Sequence, residues 1–152
     1  MKKFLLTALI LISSLSLNAA VDFLVLDPCS GKELLRRSVK ASFESVGSMS
    51  ESVLEREASD FIGSELGVNT MYGTPIGNEA LEIISRSQMR SYGWCYSVNG
   101  LSPEVYPSEF PLDDSVRSIV WYFGFAYYDS GVWLSQCEEL FKNPHPFICS
   151  NL

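Results

Sequence analysis

The chain has 152 residues, 47% of them hydrophobic and 12% aromatic, with 18 acidic residues against 11 basic ones and a formal net charge of −7. That length suits one domain with room for a core. The charge argues against a surface built for nucleic acid or for an anionic membrane.

The first twenty residues predict a secretory signal peptide. Lys2 and Lys3 make a positive start, and Phe4 to Ile12 is an apolar run broken only by Thr7. Ser13 to Ala20 is small and polar, with Ala19 and Ala20 as candidate cleavage residues. That is the three-part layout of an export signal. The run is shorter than the roughly 20 apolar residues a spanning helix needs. Residues 1–20 are therefore read as the signal and 21–152 as a single domain, periplasmic or secreted. Losing Lys2 and Lys3 leaves nine basic residues against 18 acids, a net of −9. Four cysteines follow: Cys29, Cys95, Cys137 and Cys149. An even number in an oxidising compartment implies two disulfides, and four cysteines allow three pairings. No two of them have the short spacing of a zinc site.

Along the mature chain, Phe23-Leu24-Val25-Leu26 reads as a strand, closed by a turn from Asp27-Pro28 to Ser30-Gly31. Val39, Ala41 and Phe43 alternate with polar residues and predict a second strand. The charged stretch Lys32 to Arg37 would link the two. Ser48 with Glu51 is a capping-box pattern. Met49, Val53, Leu54, Ala58, Phe61 and Ile62 then share one stripe, which predicts a helix over about 49–62 ended by Gly63. Strands are expected at Val68–Tyr72, about Ala80–Ile84, and Tyr92–Val98, the last closed by the Asn99-Gly100 turn. Pro103, Pro107 and Pro111 space an ordered loop packed by Val105, Tyr106 and Phe110. Val116 to Tyr128 is apolar on both parities, as in a strand buried on both faces. Asp129-Ser130-Gly131 turns the chain into Val132-Trp133-Leu134, and a tail of about 138–152 closes it.

The order of two strands, one helix and further strands predicts an α+β fold: a β-grasp-like mixed sheet of four to six strands with one helix across it. The run from Tyr92-Gly93-Trp94-Cys95 to Val98-Asn99-Gly100 is followed by a proline-bearing link. A Pro111-Leu112-Asp113-Asp114 turn and Ile119-Val120-Trp121-Tyr122-Phe123 come next. This pattern resembles a bacterial secreted family of unknown function related to the C-terminal β-domain of transcobalamin-like proteins. The resemblance covers about residues 38–128 in element order and 92–128 in motif. It implies a β-grasp-like fold, and the leading functional expectation is an exported non-catalytic binding domain. In transcobalamin-like proteins such a domain helps cover a corrinoid, but the helical domain that makes most of that site has no counterpart in this sequence. If the first strand lies beside the long one, as in a β-grasp, Cys29 would meet Cys137 and leave Cys95 with Cys149. The local alternative pairs Cys137 with Cys149 and Cys29 with Cys95.

No nucleophile, metal or phosphate motif is present. Asp113 and Asp114 are read as turn residues. Glu82, Asp129, Glu138 and Glu139 are read as solvated, and His145 stands alone between two prolines. Trp94, Tyr96, Trp121 and Phe123 are assigned to the core. Tyr127, Tyr128 and Trp133 lie past the long strand's regular alternation. With Tyr106 from the proline loop, they are the candidate contact residues for an unidentified small molecule or envelope protein. No cofactor is expected. The rival reading is a small envelope hydrolase whose carboxylates meet only in the fold; a third is an accessory subunit of an envelope complex.

Overall fold

The computed structural model describes residues 20–40, 42–150 and 152. The predicted signal peptide, apart from Ala20, lies outside them, as does Ala41. Strands β1 (Ala20–Leu26) and β2 (Glu33–Lys40) form the first hairpin. Helix α1 (Val46–Glu57) follows, then a small separate hairpin of β3 (Ile62–Ser64) and β4 (Gly67–Thr70). The chain continues through β5 (Leu81–Ile83), β6 (Gln88–Val98), β7 (Ser118–Asp129) and β8 (Val132–Glu139), and ends in a one-turn helix, α2 (Pro146–Cys149).

The main sheet is mixed and runs β2-β1-β7-β6-β5. β1 lies parallel to the first half of β7, with Asp22 opposite Ser118 and Val25 opposite Trp121. β8 takes the same edge of β7 over its second half, antiparallel, from Gly124 to Asp129. β6 covers the other edge for eleven residues without a register shift. β7 is therefore central in the sheet, paired on both edges except at Tyr122 and Phe123 on the β1–β8 side; Ile119, Trp121 and Phe123 are buried on its inner face and Tyr122 on the opposite one. The architecture is α+β: a curled mixed sheet of five to six strands with one main helix.

One face of the sheet makes the core. Val21, Phe23 and Val25 of β1 alternate inward and are fully buried. Trp94 packs edge-on against Phe123, and Tyr96 lies tilted against Trp121, as cross-strand pairs. Helix α1 covers this face with Val46, Met49, Val53 and Leu54. Each buried indole donates to a hydroxyl in the layer above it. Trp121 Nε1 reaches Ser50 Oγ of α1 at 2.9 Å, and Trp94 Nε1 reaches Thr74 Oγ1 at 2.8 Å. An indole N–H left unpaired there would cost about 1–3 kcal/mol.

Several boundaries differ from the sequence reading. The second strand is Glu33–Lys40, earlier than expected, because the charged Lys32–Arg37 stretch is mostly strand and not a link. β2 is an edge strand, where charges such as Arg36 and Arg37 face water and guard against further pairing. The helix is capped by Ser45, with Ser48 completing the box, and ends at Glu57. Gly63 lies in β3, where a side chain would strike the Gly67 carbonyl oxygen at 2.7 Å. β4 stops at Thr70, short of the expected Tyr72. Val105 and Tyr106 are exposed and do not pack the proline loop; the Val105 carbonyl instead accepts the Tyr96 hydroxyl at 2.9 Å. β8 runs to Glu139, so the tail begins later.

Both expected disulfide pairings are corrected. Cys29 bonds Cys149, and Cys95 bonds Cys137, each with Cα atoms 5.8 Å apart. The premise that β1 lies beside β7 is right. What overturns the pairing is a bulge in β8, between the Tyr127–Ser135 and Phe125–Glu138 pairs. Cys137 sits there with a φ of 54°. The bulge carries the chain over the outer face of β7, so that Cys137 reaches β6 across it. Cys29, leaving β1 at the other end of the chain's path, is tied to the tail.

Candidate functional site

Along the outer face of β6 and β7, side chains come in cross-strand pairs. Met89 faces Tyr128, Ser91 faces Ala126, Gly93 faces Gly124, and Cys95 faces Tyr122. Two of these four pairs are small, and they are consecutive. They form a low band between two ridges.

The first ridge is the β7–β8 hairpin. Its turn is set by Ser130 and Gly131, both at positive φ. Trp133 stands opposite Tyr128, and the two rings pack edge-on with centroids 5.3 Å apart. Trp133 remains 44% exposed. The second ridge is the Cys95–Cys137 disulfide with Tyr122. The Tyr122 hydroxyl lies 2.7 Å from Ser102 Oγ and donates to the Cys137 carbonyl at 3.3 Å. Burial pushes this phenol above its ordinary pKa. Between the ridges lies an open groove of about 360 Å³, lined by Ser91, Gly93, Cys95, Gly124, Ala126, Trp133, Gln136 and Cys137. No charged side chain lines it.

The four expected contact residues are not brought together. Tyr128 and Trp133 stack at this groove. Tyr127 has the opposite parity and points to the other face, where the Arg90 guanidinium lies 5.7 Å from its ring centre. Tyr106 is 64% exposed but belongs to the far end of the sheet. Its neighbour Val105 is held by Tyr96, which pairs with Trp121, seven residues before Tyr128 and so about 23 Å away along the strand.

A polar cluster that sequence reasoning missed lies on the other face. Glu82 of β5 accepts from Tyr92 at 2.7 Å and from Arg90 at 3.0 Å, both on β6. His145 of the tail sits against it, with Nε2 3.1 Å from Arg90 Nη1 and Nδ1 3.6 Å from Glu82 Oε1. Phe147 stacks on the Tyr92 ring. Burial, then the bond to Glu82, raises the Tyr92 phenol far above its usual value. Glu82 thus ties two strands and the tail together. It is the one carboxylate of the cluster among the described residues, and both of its hydrogen bonds fall on Oε2. The signal for it was the i, i+2 pair Arg90 and Tyr92 on one parity, facing an acid on a neighbouring short strand.

A second open hollow, of about 620 Å³, lies at the start of α1 and is lined by Glu44, Glu65 and Glu109. The Ser45 and Ser48 hydroxyls beside them are engaged in the helix cap, and Glu109 accepts from the Tyr106 amide at 3.1 Å. No group of three or more metal-ligating side chains is found among the described residues. No helix among them is long and apolar enough to cross a membrane. Comparison with protein-family models, with curated proteins and with solved structures gives no match for this chain.

Proposed function

We propose that this chain is an exported, non-catalytic binding domain that engages a small molecule or an envelope partner through the outer-face groove beside Trp133. The observation that carries the reading is Trp133 itself. It is an exposed indole, braced edge-on by Tyr128, at the wall of a groove free of charged side chains. Trp is the residue most often found where a surface contact concentrates its energy. Two disulfides support export to an oxidising compartment, periplasmic or extracellular. The parallel β1–β7 pair beside the hairpin of β6 and β7, crossed by α1, supports a β-grasp-like fold of the kind seen in transcobalamin-like C-terminal domains.

The rival hydrolase would use the hollow of Glu44, Glu65 and Glu109. The hydroxyls beside those acids are engaged in the helix cap, and no histidine lines the hollow, which favours binding over catalysis. The test is capture from native envelope extract with the mature chain and with Trp133→Ala. The reading expects a component retained by the first and lost by the second, with the fold intact by circular dichroism. Equal retention by both would place the contact elsewhere.

A further inference from the structure

Gly93 stands in the middle of β6, and no contact among the described residues requires a glycine there. A glycine inside a strand weakens it, and it marks a bulge, a tight bend, or the close approach of a ligand or another backbone. The register runs unshifted from Gln88 to Val98, so there is no bulge. The φ of Gly93 is not positive. A Cβ built on it meets no described atom within 4 Å. Its cross-strand partner is the control. A Cβ on Gly124 would lie 2.7 Å from the Glu138 carbonyl oxygen, so β8 explains that glycine. The space above Gly93, unlike that above Gly124, is left open by the described chain.

We propose that this space is a subsite for one ring of a neutral carbohydrate, stacked against the indole of Trp133. The proposal rests on the binding reading above and gives it a ligand class. The lining carries no charge, and its polar side chains include the hydroxyl of Ser91 and the amide of Gln136. Neutral donors and acceptors of this kind match sugar hydroxyls, and binding sites fix orientation with a few such groups. The wall is a flat indole whose plane is held by Tyr128. A pyranose offers an apolar C–H face to such a ring and keeps its hydroxyls at the edge. The groove is open, so its occupant stays wet on one side. A wholly apolar ligand would gain little from that, whereas a sugar's outer hydroxyls remain hydrated. A polyanionic glycan is disfavoured by the net charge of −9 that nine basic and 18 acidic residues leave after the signal.

The experiment is affinity electrophoresis of the disulfide-intact mature chain in gels cast with soluble α-glucan, β-glucan, xylan or galactomannan, with hyaluronate as the charged control. Wild type, Gly93→Val and Trp133→Ala are compared, each with its melting curve. Valine suits a strand and its Cβ meets no described atom within 4 Å, so Gly93→Val should melt no lower than wild type. At least one neutral polysaccharide should retard wild type. Both variants should weaken that binding by roughly 30-fold, the equivalent of about 2 kcal/mol. If no neutral polysaccharide retards wild type, the carbohydrate class is wrong, while the wider binding reading still stands or falls by envelope capture. Equal retardation of Gly93→Val and wild type removes the subsite from this groove. A Gly93→Val chain that melts well below wild type shows that the fold itself needs the glycine. If wild type is an oligomer that Gly93→Val dissociates, the space is filled by a second copy and not by sugar. Each of these four results overturns the proposal.

Discussion

Toward α1, β6 and β7 present Tyr92, Trp94 and Tyr96 against Phe125, Phe123 and Trp121; on the opposite face the same two strands present Ser91, Gly93 and Cys95 against Ala126, Gly124 and Tyr122. The strands and register are shared, so the contrast lies in side chains alone. The inner face fills space with large rings and gives each indole N–H a hydroxyl partner. The outer face leaves space open beside a third indole that stays 44% exposed. Packing thus commits Trp94 and Trp121 to the core and leaves Trp133 partly exposed.

The largest effect that would sharpen this comparison is at Trp121. It is 1% exposed, and Trp121→Ala should cost about 3–5 kcal/mol through the cavity it leaves and the orphaned Ser50 hydroxyl. Trp133→Ala should cost about 1 kcal/mol or less, mostly its packing on Tyr128. Denaturant melts of the two variants decide it. Equal losses would mean that Trp133 is core and that the two faces do not differ in role.

The disulfides come next. Non-reduced peptide mapping should give a Cys29–Cys149 and a Cys95–Cys137 pair. Replacing Cys95 and Cys137 by Ala should cost about 2–4 kcal/mol. It should also free the β8 bulge from the outer face and so widen the groove. Hydrogen exchange should then rise in Gln136 to Glu139 more than in α1. A uniform rise would mean that the bridge steadies the whole chain and not this ridge.

A smaller contrast separates the paired glycines. Gly124→Val drives a methyl-bearing carbon against the Glu138 backbone and should cost about 1–3 kcal/mol. Gly93→Val should be neutral or mildly stabilising. Comparable losses at both sites would erase the argument that only one of them is explained by packing.

Much of the inner face was legible in the sequence. Aromatic and β-branched residues between turn signals indicated β6 and β7, and the Asn99-Gly100 turn has both residues at positive φ as expected. The helix stripe was read correctly at Met49, Val53 and Leu54, but its start was placed three residues late. Ser45 and Ser48 are both plausible caps, and Ser48 with Glu51 is the stronger local pattern. The outer face was harder, because its meaning depends on β8. Alternation could have put Tyr127 and Tyr128 on opposite faces. No local signal announces the bulge at Cys137, which decides the disulfides and the second ridge. Long-range pairing also hid the contact of Glu82 with His145, more than sixty residues apart in sequence.

The smallest effect concerns Asp129, at the turn end of the hairpin that carries Trp133. Its carboxylate accepts from Gln88 Nε2 at 3.0 Å and from Ser130 Oγ at 2.8 Å. Those bonds, Gln88 first, hold its pKa below the ordinary value. A depressed carboxyl contributes stability above its unfolded pKa of about 4, and that contribution is lost as pH falls through the lower folded value. The hairpin should therefore loosen in acid while the inner face holds. The Ser130 amide, which donates to the Ser87 carbonyl at 2.9 Å, reports this directly. Its exchange protection should fall below about pH 4 in wild type. In Asp129→Asn it should be lower at neutral pH and flat across the same range, since the amide cannot lose a charge. The main-chain bonds of α1 should show no matching step. If Asp129→Asn keeps the acid step, another group controls the hairpin; if α1 loosens with it, the two faces of the sheet open as one unit and their separation in role does not extend to stability.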